Sequence, residues 1–148
     1  MIHWGILFLL WAFLFPNAQA LDYGAALQVT NPDVELLTIL HTNDIHSHFE
    51  KDTTSPFELG GVSRIASYFS SVRASQSNTL VLDGGDWSEG HIYFNIGAGR
   101  LSLQMMDTLG YDAMVVGNHD WLNGPDHLLN LLQNAPENRV HLLGANLD

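Results

Sequence analysis

The sequence contains no cysteine. That excludes a disulfide scaffold, a thiolate zinc site, a thiol nucleophile and an iron–sulfur centre. Basic residues are almost as scarce, with five Lys+Arg against sixteen Asp+Glu and a net charge of −11. A chain of this sign is a poor match to a nucleic-acid polymer, where affinity comes from neutralising phosphates. The only lysine, Lys51, lies in no Gly-rich phosphate loop, which removes P-loop nucleotide hydrolysis. Charged residues make up only 14% of the chain and hydrophobic ones 46%, too apolar a balance for disorder. At 148 residues the chain has room for one domain and hardly two. Against these shortages stand eight histidines in an acidic protein.

Residues 1–20 hold no Asp, Glu, Lys or Arg, and Trp4 to Phe15 is apolar throughout. That run is shorter than the roughly 20 residues of a membrane-spanning helix. Pro16 and Asn17 end it, and Ala18-Gln19-Ala20 is the small-x-small pattern of a cleavage site. The stretch reads as a secretory signal peptide, with His3 and the terminal amine as its only positive groups; an uncleaved anchor is the alternative. A mature chain from Leu21 would be secreted, periplasmic or at the cell surface, with no stable membrane anchor.

Residues 21–33 read as a leader, and 34–148 as the domain. Val34 to Thr42 predicts a buried strand. Val62, Ile65, Phe69 and Val72 form the apolar stripe of a helix ending near Gln76. Thr79 to Leu82 is a second strand, stopped by Asp83-Gly84-Gly85. A helix over Leu101 to Leu109 is closed by Gly110 at a C′ position, and Ala113 to Val116 is a third strand. A further helix begins at Pro125 with Asn123 as a possible cap, and Val140 to Leu143 is a fourth strand. This alternation predicts an α/β fold of βαβ units on a mainly parallel sheet. In such sheets functional groups gather just past the carboxyl ends of the strands.

Three polar motifs fall there. After the first strand, Asp44 and His46 flank Ile45, and two residues apart in an extended segment their side chains point the same way. A carboxylate and an imidazole on one side suit a divalent metal. After the second strand comes Asp83-Gly84-Gly85-Asp86-Trp87-Ser88-Glu89-Gly90. It is no serine-hydrolase elbow, because the residue two before Ser88 is Asp86 rather than glycine. After the third strand, Gly117-Asn118-His119-Asp120 offers an amide oxygen, an imidazole and a carboxylate. Each motif alone is compatible with a polar turn. Together, each directly after a strand, they point to one metal site.

The ordered motifs Asp44-x-His46, Gly85-Asp86-x-x-x-Gly90 and Gly117-Asn118-His119-Asp120 resemble the calcineurin-like metallophosphoesterases. LTILHTNDIHSHFE, Gly60-Gly61, MMDTLGYDAMVVGNHD and LLGANLD resemble the 5′-nucleotidase branch more narrowly. The resemblance implies the N-terminal half of an α/β sandwich and a phosphohydrolase acting on nucleotides or related phosphate esters. It implies two divalent metal ions (Zn, Mn, Fe, Co or Mg), with Asp44 and His46 on one, Asn118 on the other and Asp86 bridging. Such a pair activates water and clamps the phosphoryl oxygens. His119, with Asp120 as a candidate partner, would stabilise the phosphoryl group or protonate the leaving alkoxide.

Two departures from the family stand out. Many 5′-nucleotidases carry an aspartate three residues past the motif histidine, where this chain has Leu122. The partner of His119 is then Asp120, a group from elsewhere, or missing. The family also completes its site with later histidines, including a G-H-x-H segment, and a C-terminal nucleoside-binding domain, none of which is found within the 148 residues. The chain is therefore expected to be part of a longer protein, with an incomplete metal pair when isolated. The alternatives are a non-catalytic secreted metal-binding relative, an interaction module needing a second chain, or another branch of the superfamily: a nucleotide-sugar hydrolase, cyclic-nucleotide phosphodiesterase or thiosulfohydrolase. His91, His127 and His141 have no ligand-like spacing and read as surface or boundary residues. His41, inside the first strand, reads as a core or rim residue, and His48 stays open.

Overall fold

The computed structural model describes residues 33–54, 56, 59–135 and 139–145. The signal peptide and nearly all of the leader lie outside the described residues, as do the last three residues of LLGANLD. Four strands, β1 (Thr38–Thr42), β2 (Thr79–Asp83), β3 (Ala113–Val115) and β4 (His141–Leu143), form one sheet in the order β1-β2-β3-β4. All three pairings are parallel. The helices are α1 (Val62–Ser75), α2 (Ile92–Gly97), α3 (Arg100–Leu109) and α4 (Pro125–Gln133), with a 3-10 turn at His119–Trp121. The α/β architecture predicted from the alternating pattern is the one observed.

Strand β1 begins at Thr38 rather than Val34, because its partner begins at Thr79: Thr38 pairs with Thr79 and donates its N–H to Asn78 O at 2.8 Å. The predicted stripe of α1 packs inward, with Phe69 buried and Val62, Ile65 and Val72 against the core. Helix α3 buries Leu103, Met106 and Leu109 and ends at Gly110 in the left-handed conformation, as its sequence predicts. Helix α4 starts at Pro125, but its N-cap is Gly124 rather than Asn123. Two elements escape the periodicity: α2, which buries none of its residues, and the 3-10 turn.

With strands in sequential order, α1, α3 and α4 all contribute to one core, meeting Leu40, Val81 and Met114 of the sheet. Residues of opposite parity face away. Ile39, Leu80, Val115 and Leu143 are 38–50% exposed, and Ile39 pairs with Leu80 and Val115 with Leu143 in the ladders. His41 shares this parity and is exposed, which corrects its reading as a core or rim residue. Parallel sheets ordinarily have both faces covered. Among the described residues, one face is covered and the other presents Ile39, Leu80, Val115 and Leu143.

Candidate metal centre at the carboxyl ends of the strands

The β1–β2 ladder does not stop where the strands stop. Gly84 N–H donates to Thr42 O at 2.8 Å, Asp44 N–H to Gly85 O at 3.0 Å, His46 N–H to Asp86 O at 2.9 Å and Ser47 N–H to Trp87 O at 3.2 Å. These bonds zip the loop after β1 to the loop after β2. They do so with Asp44, His46, Ser47 and Asp86 all at positive φ, between 49° and 56°. Each such non-glycine residue stores strain that the surrounding bonds must hold, and strain of this kind gathers at functional sites. The pleated alternation expected for Asp44 and His46 is therefore replaced by a left-handed turn. Its outcome for the side chains is nevertheless the one expected: Asp44 Oδ1 lies 3.6 Å from His46 Nε2.

The third loop is drawn in through Asp120. Its Oδ2 accepts the N–H of Asp86 and of Gly117, both at 2.9 Å, and its Oδ1 accepts Ser88 N–H at 3.0 Å. Burial pushes the Asp120 carboxyl above the usual carboxylate range, against the pull of these donors. Asp120 is thus a clamp joining the loops after β2 and β3. Its carboxylate is taken up by these main-chain donors and the Ser88 hydroxyl, and the candidate pairing with His119 gives way to another. His119 Nδ1 lies 2.8 Å from Glu89 Oε2. Sequence reasoning gave Glu89 no role beyond its charge; the polar gap left by Leu122 was the signal for a replacement acid in a neighbouring loop.

The result is a cluster in which one ligand atom each from His46, Asp86 and His119 lies within 4.8 Å of the others. Asp86 is the hub: its Oδ1 accepts His119 N–H at 2.7 Å, its N–H is held by Asp120 and its carbonyl by His46. The rings of His46 and His119 meet edge to face, 4.8 Å between centroids. His46 Nδ1 lies 2.7 Å from the carbonyl of Glu89, and donation there leaves Nε2 as the basic nitrogen. Imidazole ligands ordinarily have their second nitrogen fixed in this way. Asp44 is exposed beside His46, and Asn118 is exposed at the start of the 3-10 turn, its side chain making no capping bond. The two imidazoles and the carboxylate of the cluster suit a divalent metal of intermediate hardness.

Glycine is required where loops touch. A Cβ at Gly90, whose φ is 128°, would lie 2.8 Å from His46 Cβ. Behind the cluster, Asp83 is buried, with Oδ2 accepting Thr42 Oγ1 at 2.6 Å and Oδ1 accepting Gly85 N–H at 2.9 Å. Burial pushes its carboxyl up to about 6. Thr42 Oγ1 also meets Tyr111 OH at 2.7 Å, and burial holds that phenol up at about 12.

The family profile of the calcineurin-like phosphoesterases matches residues 37–145, a span that contains every residue of this centre. The chain belongs to that family. Among curated relatives, it is 42% identical to a snake venom 5′-nucleotidase of Naja atra over 118 residues, covering 75% of this chain and 22% of the relative. It is 37% identical to a 5′-nucleotidase of Bos taurus over 139 residues, covering 89% of this chain and 24% of the relative. Among solved structures, the 5′-nucleotidase precursor from Thermus thermophilus superposes with a TM-score of 0.67 at 40% identity, covering 76% of this chain and 22% of that one. The chain thus spans between a fifth and a quarter of the length of these relatives. Within this family member, the His46, Asp86 and His119 cluster offers two imidazoles and a carboxylate that could hold a metal ion.

Proposed function

We propose that this phosphoesterase is the N-terminal part of a secreted, dimetal phosphohydrolase that acts on nucleotides or closely related phosphate esters. The observation that carries the reading is the meeting of His46, Asp86 and His119 at the carboxyl ends of adjacent parallel strands, with Asp44 beside them. Asp44 and His46 would hold one divalent ion, Asn118 would serve the other, and Asp86 would bridge the two. When bound, such ions would supply Lewis-acid chemistry toward the phosphoryl oxygens and make a nearby water more acidic.

The chain's own residues supply the rest. The backbone zipper over residues 44–47 and 85–87 fixes the ligands before any ion arrives, so little ordering remains to be done on binding. His119 would hydrogen-bond a phosphoryl oxygen, or in its protonated form give its proton to the departing alkoxide and return to neutral imidazole. Asp44, Asp83, Asp86, Glu89 and Asp120 crowd one end of the sheet, a poor reception for an anionic substrate until dications reverse the local sign. Substrate affinity is therefore expected to depend on metal.

Support for nucleotides comes from the 5′-nucleotidases among the relatives, and support for secretion from the apolar N-terminal run and the venom relatives among them. The exposed apolar face formed by Ile39, Leu80, Val115 and Leu143 supports a partial domain, since further chain packed there would cover it. A second reading, a metal-binding relative without catalysis, draws on Leu122 standing where an acid is expected.

Titration of the 148-residue chain with Mn²⁺ or Zn²⁺ by calorimetry, alongside Asp86→Asn and His46→Ala, tests the ligand assignment. Affinity should fall by at least about tenfold in each variant, the loss of one charged or imidazole ligand. Unchanged affinity and stoichiometry in both would sink the assignment. Phosphate release from a nucleoside 5′-monophosphate, abolished in Asp86→Asn, would show that the isolated chain needs no further residues. Metal binding without release of phosphate from any ester, even in a longer chain carrying this domain, would favour the second reading.

A further inference from the structure

We propose that Glu89 is the positioning residue for both imidazoles of the centre, holding His46 through its main-chain carbonyl and His119 through its carboxylate. Glu89 O lies 2.7 Å from His46 Nδ1, and Glu89 Oε2 lies 2.8 Å from His119 Nδ1. The same Oε2 is 3.9 Å from His46 Nδ1, so the carboxylate sits between the rings and is bonded to one of them.

Among the described residues, Glu89 is the acid bonded to the His119 ring. Asp120 spends both oxygens on three main-chain N–H groups, and Asp86 Oδ1 accepts the backbone N–H of His119 rather than its ring. Leu122, three residues on, is exposed and has no polar atom to offer. Glu89 is partly buried, with 28% of its side chain exposed, so its bond to His119 is less diluted by water than a surface pair. Its position is set from both sides. Gly90 leaves no room for a side chain against His46, and Ser88 is tied to Asp120 through its N–H and to Ser102 Oγ through its carbonyl.

The chemical consequence is tautomer control. A carboxylate accepting from Nδ1 keeps the proton on that nitrogen and leaves Nε2 as the basic one; it also stabilises the ring when Nε2 gains a proton. Both histidines are thereby held in the same tautomer by one residue, the first by an acceptor that mutation cannot remove and the second by one that it can. The catalytic meaning of this rests on the hydrolase reading above, but the arrangement itself does not, and it is tested without turnover.

The test is ring nitrogen-15 NMR of the metal-free 148-residue chain at about pH 8.5, well above the ordinary imidazole pKa. In the wild type, His46 and His119 should both be Nδ1–H tautomers. Glu89→Ala should swing His119 toward the Nε2–H form that free imidazole prefers, by about tenfold in tautomer ratio, the scale of one charge-assisted hydrogen bond. His46 should not move in that variant, which serves as the internal control for an intact loop. Glu89→Gln, which keeps an acceptor oxygen, should retain the wild-type tautomer at His119. A wild-type His119 already in the Nε2–H form would overturn the proposal, whatever the variants do. So would a wild-type ratio in a folded Glu89→Ala. Failure of hydrolysis with the tautomers as expected would count against the phosphohydrolase reading and leave this one standing.

Discussion

Gly117 passes so close to Asp86 that a Cβ at 117 would overlap both Asp86 Oδ1 and its backbone nitrogen. The contact is between the loop after β3 and the residue proposed to bridge two metals. Neither partner can yield easily, because Asp86 is held at positive φ by the β1 loop on one side and by Asp120 on the other.

Gly117→Ala should therefore push Asp86 out of register and weaken metal binding by at least about tenfold. It should also cost about 1–3 kcal/mol of stability, the usual range for overpacking a tight contact. Calorimetric metal titration and urea denaturation of the same variant read the two effects separately. Wild-type affinity in Gly117→Ala would mean that Asp86 is not the hub.

Asp120 presents a different case, since its role is to satisfy three N–H groups. Asp120→Ala would leave the donors of Asp86, Ser88 and Gly117 without their acceptor. At about 1–3 kcal/mol for each buried unsatisfied group, less whatever water recovers, the loss should be several kcal/mol. Thermal unfolding followed by circular dichroism should show a large drop in Tm, whereas Glu89→Ala should leave Tm nearly unchanged. Equal Tm losses in the two variants would contradict the division between a clamp and a positioning residue.

The legible and illegible parts of this fold divide by physical cause. Strands β2, β3 and β4 were readable because short apolar runs end at Gly84, Gly117 and Gly144, and α1 and α3 because their apolar residues recur at helical spacing. Helix α2 was not, because Ile92 and Ile96 face solvent and no stripe exists to detect. The candidate ligands Asp44, His46 and Asp86 were readable from their order after the strands. The left-handed backbone that presents them was not, because it is imposed by hydrogen bonds between segments some forty residues apart. The Glu89–His119 contact was hidden for the same reason, its partners being thirty residues apart in different loops.

Asp83 makes stability depend on pH in a definite direction. Its carboxyl is raised by burial from 3.8 to about 6, so the native state holds a proton that the unfolded chain has released. The contribution is fully present below about pH 4 and is lost as pH rises through about 6, on the order of 3 kcal/mol for a shift of this size. Asp83→Asn should flatten that slope, because an amide can donate to Thr42 Oγ1 while Thr42 turns its hydroxyl to Tyr111. Urea denaturation from about pH 4 to 7 in the presence of a chelator is the measurement. A slope that survives in Asp83→Asn would assign the dependence to another group, with Asp120, raised in the same direction, next in line.

The uncovered face of the sheet carries the last expectation. Ile39 and Leu80 lie opposite each other in the β1–β2 ladder, both more than a third exposed, with Val115 and Leu143 paired farther along. Apolar residues grouped on one sheet face in this way mark a contact surface. When the 148-residue chain is studied alone, that face should drive self-association. Leu80→Lys places a charge near its middle on a strand that does not need this side chain for the core, since Val81 and Leu40 face the helices. Light scattering coupled to size exclusion should show the wild type shifting to larger species with concentration and Leu80→Lys remaining monomeric, with Tm changed little. A wild type that is monomeric throughout, with no gain in solubility from Leu80→Lys, would mean that the face tolerates water and that no further chain is needed to cover it.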